Sequence, residues 1–184
     1  MDENEYKAQE IKWFNKSLGK RVERWKQITP ATYNVPLPKL VWGYLSMMDD
    51  MYISGQFAGT IIFGASIAEL ILADQLHAKG SFTSTTLESA GLKRLIERGY
   101  ALSILDDKET EALHNLRELR NHLIHGNVGK LTQMAKERFK VEGPDDSFLD
   151  AEFYLNFEGG IVQDALRHLK TIRDLSVRLY GEKE

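Results

Sequence analysis

Two residue types suited to acting on an anion stand five positions apart in the segment Leu116-Arg117-Glu118-Leu119-Arg120-Asn121-His122-Leu123-Ile124-His125-Gly126. A guanidinium such as that of Arg120 is permanently charged and offers a planar fork of donors that matches two oxygens of one anion. An imidazole such as that of His125 exchanges a proton near neutral pH. The spacing alone says little, because Arg117 and His122 form a second, overlapping pair of the same kind. Three local features add to it. Asn121 directly follows Arg120, Gly126 directly follows His125, and the set closes a stretch with leucine spacing typical of a helix.

At about 100° per residue, Leu113, Leu116, Leu119 and Leu123 centre on one side of that helix, with Ala112 beside them. Arg117, Asn121 and His125 then form a polar stripe next to the leucines, joined by His114, and Arg120 falls on the margin of the apolar face. A cation in that position needs a partner or a cleft, since an unpaired buried charge is costly. Glu69, the one acidic residue in the apolar stretch 57–73, is the candidate partner. Such an ion pair between two helices is compatible with a functional Arg120, because Glu69 can also orient it. For His125 the plainer reading is a cap on the last carbonyls of its helix. Arg117 and His122 read as rim residues, and His114 as a surface residue. His77 and His168 read as lying near a helix end and on the polar side of the last helix.

The elements that must position these residues are helical. Residues 5–28 read as an amphipathic helix with Ile11, Phe14, Leu18, Val22 and Trp25 at spacings of three and four. Thr29-Pro30 ends it, and a loop with Pro30, Pro36 and Pro38 follows. Helices are predicted over about 40–53 and 57–78, parted at Ser54-Gly55. Another carries Leu87, Leu92, Leu95 and Ile96 after a polar turn at Gly80–Thr85 and stops near Gly99. Asp106-Asp107 marks the start of the helix that ends near Ile124, with Gly126 as its C-terminal cap. A shorter helix covers Lys130 to Phe139, and a closing one about 161–180. Residues 141–160, acidic and holding Gly143-Pro144 and Gly159-Gly160, read as a long loop with one short strand. The expectation is a single domain over 1–184, an all-α, up-and-down bundle over 39–184 preceded by the helix and Pro-rich loop of 1–38.

Composition narrows the function classes. At 184 residues, 42% hydrophobic and 28% charged, the chain is an ordinary globular size and balance. The net charge of −3 gives no bulk attraction for a phosphate backbone, so any nucleic-acid contact must come from a local patch. The run Lys7, Lys12, Lys16, Lys20, Arg21, Arg24, Lys26 on the first helix could track an RNA backbone. A solvated face is the commoner explanation, with Glu5, Glu10 and Glu23 diluting it. Trp13, Tyr33, Trp42 and Tyr44 read as core or dimer contacts. The absence of cysteine excludes a disulfide framework, a thiolate metal site and a cysteine nucleophile. No cofactor or metal is expected, since no histidine–carboxylate cluster shows ligand spacing. The acidic start Met1-Asp2-Glu3 lacks the layout of a signal peptide. The apolar stretch from Phe57 to Ala73 reads as a buried central helix rather than a bilayer span, so the expectation is a cytoplasmic protein with no membrane partner.

The segment around Arg120 resembles the signature of the HEPN superfamily, in which Arg, a polar residue such as Asn, three more residues and His close a helix. The match is specific over about ten residues and looser, by helix order, over 40–180. The resemblance implies a fold that commonly dimerises, bringing two motif copies to a shared cleft, and an activity often found in the superfamily: metal-independent RNA cleavage, in toxins and antiphage or stress effectors. Carried over by position, Arg120 would hold the scissile phosphate, and His125 would act as general base or acid for attack by the ribose 2′-hydroxyl. Asn121, with Glu69, Arg117 and His122 around it, would orient imidazole or substrate. RNA or a nucleotide is the implied ligand, a homodimer the implied assembly, and a neutralising antitoxin a possible partner. One departure is Asn127, where toxins silenced by a nucleotidyltransferase antitoxin carry Tyr; that mode of regulation is not implied. The competing class is a non-catalytic module of the same fold that binds nucleotide, RNA or protein.

Overall fold

The computed structural model describes residues 3–28, 37–81, 90–139 and 160–181. Among the described residues there are seven helices and no strand: α1 (Glu3–Ile28), α2 (Lys39–Ser54), α3 (Phe57–Ala78), α4 (Leu92–Ala101), α5 (Asp107–Ile124), α6 (Val128–Phe139) and α7 (Ile161–Gly181). The strand expected in 141–160 and the helical turn carrying Leu87 lie outside the described residues.

The bundle is built around α3, which packs against α2, α4, α5 and α7. Ile61, Ala65, Ile67, Ala68, Ile71, Leu72 and Leu76 are all fully buried, so α3 is apolar around most of its circumference, as a helix enclosed by others must be. Its full 22 residues make it long and apolar enough to cross a membrane, judged by length and composition only. Small residues let its neighbours approach. A Cβ placed on Gly64 would stand 3.2 Å from the Met48 Sδ of α2, so an alanine there would require the Met48 side chain to shift by a few tenths of an ångström. The α2–α3 joint turns at Gly55, whose φ of +84° suits a residue without Cβ.

Long side chains tie α7 to the rest. Buried Arg173 donates to the Asp49 carboxylate and, at 2.5 Å, to the carbonyl of Ile28. Arg178 bonds Glu109 at 2.6 and 2.7 Å and the Ile104 carbonyl at 2.8 Å. The Tyr180 hydroxyl donates to Asp74 at 2.8 Å. His168 departs from the sequence reading: it is buried, not on a polar face. α7 meets α2, α3 and α5 at once, so a broader arc of it is covered than its aliphatic residues alone suggest. Asp164, Arg173 and Ser176 are enclosed with it.

α1 runs antiparallel along α2. Arg24 Nη1 donates to the Ile53 carbonyl at 2.7 Å, and the Tyr52 hydroxyl donates to Gln27 Oε1 at 2.5 Å. Arg24 also lies 5.2 Å from the centroid of the Phe57 ring, a cation–π contact. Trp13 and Trp42 are exposed and are not core residues; Tyr44 is half-buried against Phe63, ring centroids 5.4 Å apart.

Candidate functional site

α5 is locally well specified at both ends. Asp106 accepts from the Glu109 N–H at 2.8 Å, while Glu109 accepts from the Asp106 N–H at 3.0 Å. The two thus form a capping box, which sets the first turn where the paired aspartates predicted it. At the other end Gly126 adopts φ +56°, and the Asn127 N–H reaches back to the His122 carbonyl at 3.0 Å. That is the six-to-one bond of a Schellman stop, which ends the helix at Ile124 with His125 as the half-helical cap. Leu113, Leu116 and Leu119 are buried and set the rotation of the helix, so Arg117, Arg120 and Asn121 are carried to one side of them.

Arg120 meets Glu69 of α3: Nη2 lies 3.2 Å from Glu69 Oε1, with the two side chains 26% and 31% exposed. The same oxygen accepts from the Leu92 N–H at 3.2 Å, so Glu69 also satisfies a donor at the start of α4. Arg120 Nη1 donates to Asn121 Oδ1 at 3.2 Å. The guanidinium is therefore gripped from two sides while remaining accessible.

These residues line an open cleft of about 640 Å³ between α4 and α5. Arg117, Arg120 and Asn121 form one wall; Gly91, Leu92, Lys93 and Arg94 form the other, with Glu69 and Glu97 completing the lining. Four cations against two carboxylates leave the cleft electropositive in a chain of net charge −3. Lys93 pairs loosely with Glu97, at 3.7 Å, and Arg117 with Glu118, at 3.3 Å. The buried Arg117 Nε has no hydrogen-bond partner. α4 starts here on Gly91, which supplies no side-chain cap, so the positive end of its dipole opens onto the same space. Such a cleft can hold a doubly hydrogen-bonded oxyanion.

Sequence reasoning did not find Lys93 and Arg94. The signal available was their position: cations in the first turn of a helix oppose its dipole, an arrangement that an anion bound beside them would offset. His122 and His125 do not line the cleft. His122 is half-buried and His125 is exposed at the helix end. His125 lies one turn past Asn121 on the same stripe, about 6 Å further along the axis, at the exposed helix end and beyond the residues that line the cleft. Among the described residues no group of three or more histidine and carboxylate side chains stands as a metal ion would need.

Comparisons with family models, with curated proteins and with solved structures give no match for this chain. The HEPN resemblance therefore rests on the residues around Arg120 and on the helix order.

Proposed function

We propose that the chain binds RNA through a backbone phosphate in the α4–α5 cleft and cleaves it without a metal. The observation that carries this reading is the clamped but accessible Arg120, held by Glu69 and Asn121 in an open, electropositive cleft. In the proposed step the ribose 2′-oxygen bonds to phosphorus and the bond from phosphorus to the 5′-oxygen breaks. One imidazole takes the 2′-hydroxyl proton, and a proton is returned to the leaving 5′-oxygen. The products are a 2′,3′-cyclic phosphate and a 5′-hydroxyl end. Arg120 and Arg117 would neutralise the charge that builds on the phosphoryl oxygens. His125 would exchange the proton. Because His125 stands away from the wall that carries Arg120, the two meet at one phosphate when a second copy of the chain supplies the imidazole.

The test is cleavage of mixed RNA in excess chelator by the wild type, Arg120→Ala and His125→Ala. Each variant is expected to lose at least a hundredfold in rate. Mixing the two variants should restore roughly a quarter of the wild-type activity, because half the dimers are mixed and each holds one intact site. Equal activity in all three proteins, or none in any, defeats the enzyme reading. One specific observation favours a second reading, a binding module without catalysis: His125 is absent from the cleft lining. On that reading Arg117→Ala and Arg120→Ala abolish RNA binding, His125→Ala leaves it intact, and no RNA is cut.

A further inference from the structure

Arg24, Gln27 and Ile28, in the last turns of α1, bond to the body, and Lys20 and Glu23 share a pocket with Val162, Gln163 and Leu166 of α7. Because α1 runs antiparallel to α2 and Arg24 stands level with Ile53, two residues from the end of α2, the earlier residues of α1 extend beyond that end. At ~1.5 Å per residue the segment before Lys20 is roughly 25 Å long. α1 carries an apolar line: Ile11 (61% exposed), Phe14 (60%), Leu18 (47%), Val22 (45%) and Trp25 (53%). A helix of this kind draws most of its stability from packing an apolar face, and a line of five large side chains in water is a surface to be covered.

Three properties of the line select its occupant. Its spacings, 3-4-4-3, read the same in both directions about Leu18. Two such helices laid antiparallel around a twofold axis at Leu18 set Leu18 level with Leu18, Phe14 with Val22, and Ile11 with Trp25. The line is also narrow. At about 100° per residue its members fall within about 40° either side of Leu18, the width of a helix–helix seam, narrower than the broad apolar face of a surface-lying amphipathic helix. Trp13 points to the opposite side. Finally, residues 3–14 sum to a charge of −1 (Glu3, Glu5 and Glu10 against Lys7 and Lys12), whereas residues 15–28 sum to +4 (Lys16, Lys20, Arg21, Arg24 and Lys26 against Glu23). A parallel pair would place the two strongly basic halves together; an antiparallel pair sets each against a weakly acidic one.

We infer that α1 is a dimerisation arm whose partner is the α1 of a second copy of this chain, packed antiparallel with Leu18 at the twofold axis. Together the five side chains leave roughly 500 Å² open per chain, so two copies would bury about 1,000 Å², the lower bound for a specific interface. The dimer is accordingly reversible. It uses no residue of the α4–α5 cleft, and the pairing of Arg120 with a second copy's His125 would be a different contact, so only the association lost on substituting Leu18 bears on α1.

The chain has no cysteine, which permits a direct register test on the full-length protein. Leu18→Cys is expected to form a disulfide-linked dimer under mild oxidation. Ile11→Cys and Trp25→Cys should each stay free of disulfide-linked dimer alone and cross-link when mixed. Sedimentation velocity should show a dimer forming over micromolar concentrations in the wild type. Leu18→Glu should lose this association, while a cooperative thermal unfolding transition shows that its body is folded. The inference is overturned by a wild type that is monomeric throughout or by a Leu18→Glu protein that associates just as the wild type does. It is also overturned if Ile11→Cys cross-links with itself as fast as Leu18→Cys. Leu18-dependent binding of a monomer to phosphatidylserine vesicles would replace it with a membrane-surface role.

Discussion

At the scale of single residues, Glu69 does two jobs with one oxygen. It accepts from Arg120 and from the first N–H of α4, so the carboxylate couples the guanidinium to the helix forming the opposite wall. Removing either partner of a half-buried pair leaves the other incompletely solvated, whereas replacing both relieves that cost. A double-mutant cycle on Glu69→Ala and Arg120→Ala should therefore return a coupling of about 1 kcal/mol, between exposed and buried pairs. Glu69→Ala should be the costlier single change, because it also strips the α4 donor. Additive stability losses in urea unfolding would show that the pair does not orient Arg120. His168 supplies the clearest pH signature. Burial lowers its pKa to about 4, against the opposing pull of Asp164 and with a smaller downward push from Arg167. The unfolded chain takes up a proton near pH 6.5 and the folded chain only near 4, so stability falls as pH drops through that window and levels off below it. The loss attributable to this residue is about 3 kcal/mol at most. Melting temperatures of the wild type between pH 7 and 4.5 should fall more steeply than those of His168→Gln; parallel curves would refute the assignment.

At the scale of elements, α5 shows how local chemistry sets the position of a site. Its capping box and its Schellman stop define both ends, and its leucines set its rotation, so the angular placement of Arg117, Arg120 and Asn121 follows with little freedom. Asp106→Ala removes the acceptor for the Glu109 N–H and is expected to cost about 1 kcal/mol. For a chain of this size that is a fall in melting temperature of roughly 2–4 °C. Since Glu109 also holds Arg178 of α7, a larger loss would indicate that the box organises the α5–α7 joint as well. No change on calorimetry would mean that water replaces the cap. Legibility in the sequence differed between elements. Asp106-Asp107 and Gly126 announced α5 because caps are local signals. The start of α4 was not legible, since Gly91 offers no capping side chain and the packing of Leu92, Leu95 and Ile96 on α3 decides where the helix begins.

At the scale of the whole molecule, α1 and the cleft illustrate what periodicity can and cannot tell. The apolar spacing on α1 fixed that it is a helix with one apolar side, but not whether that side faces the chain's own core. It does not, because α1 lies along α2 for only its last turns. The helix types, the central place of residues 57–78, the caps of α5 and the candidacy of Glu69 as partner to Arg120 were determined by the sequence alone, because they depend on residues near one another in the chain or on the scarcity of charge in an apolar helix. Only the tertiary structure decided that His168 is enclosed, that Lys93 and Arg94 face Arg117 and Arg120 across a cleft, and that the cleft ends short of His125. Those facts depend on how helices distant in sequence cross, and a crossing angle is set by side-chain packing between them, which no single segment encodes.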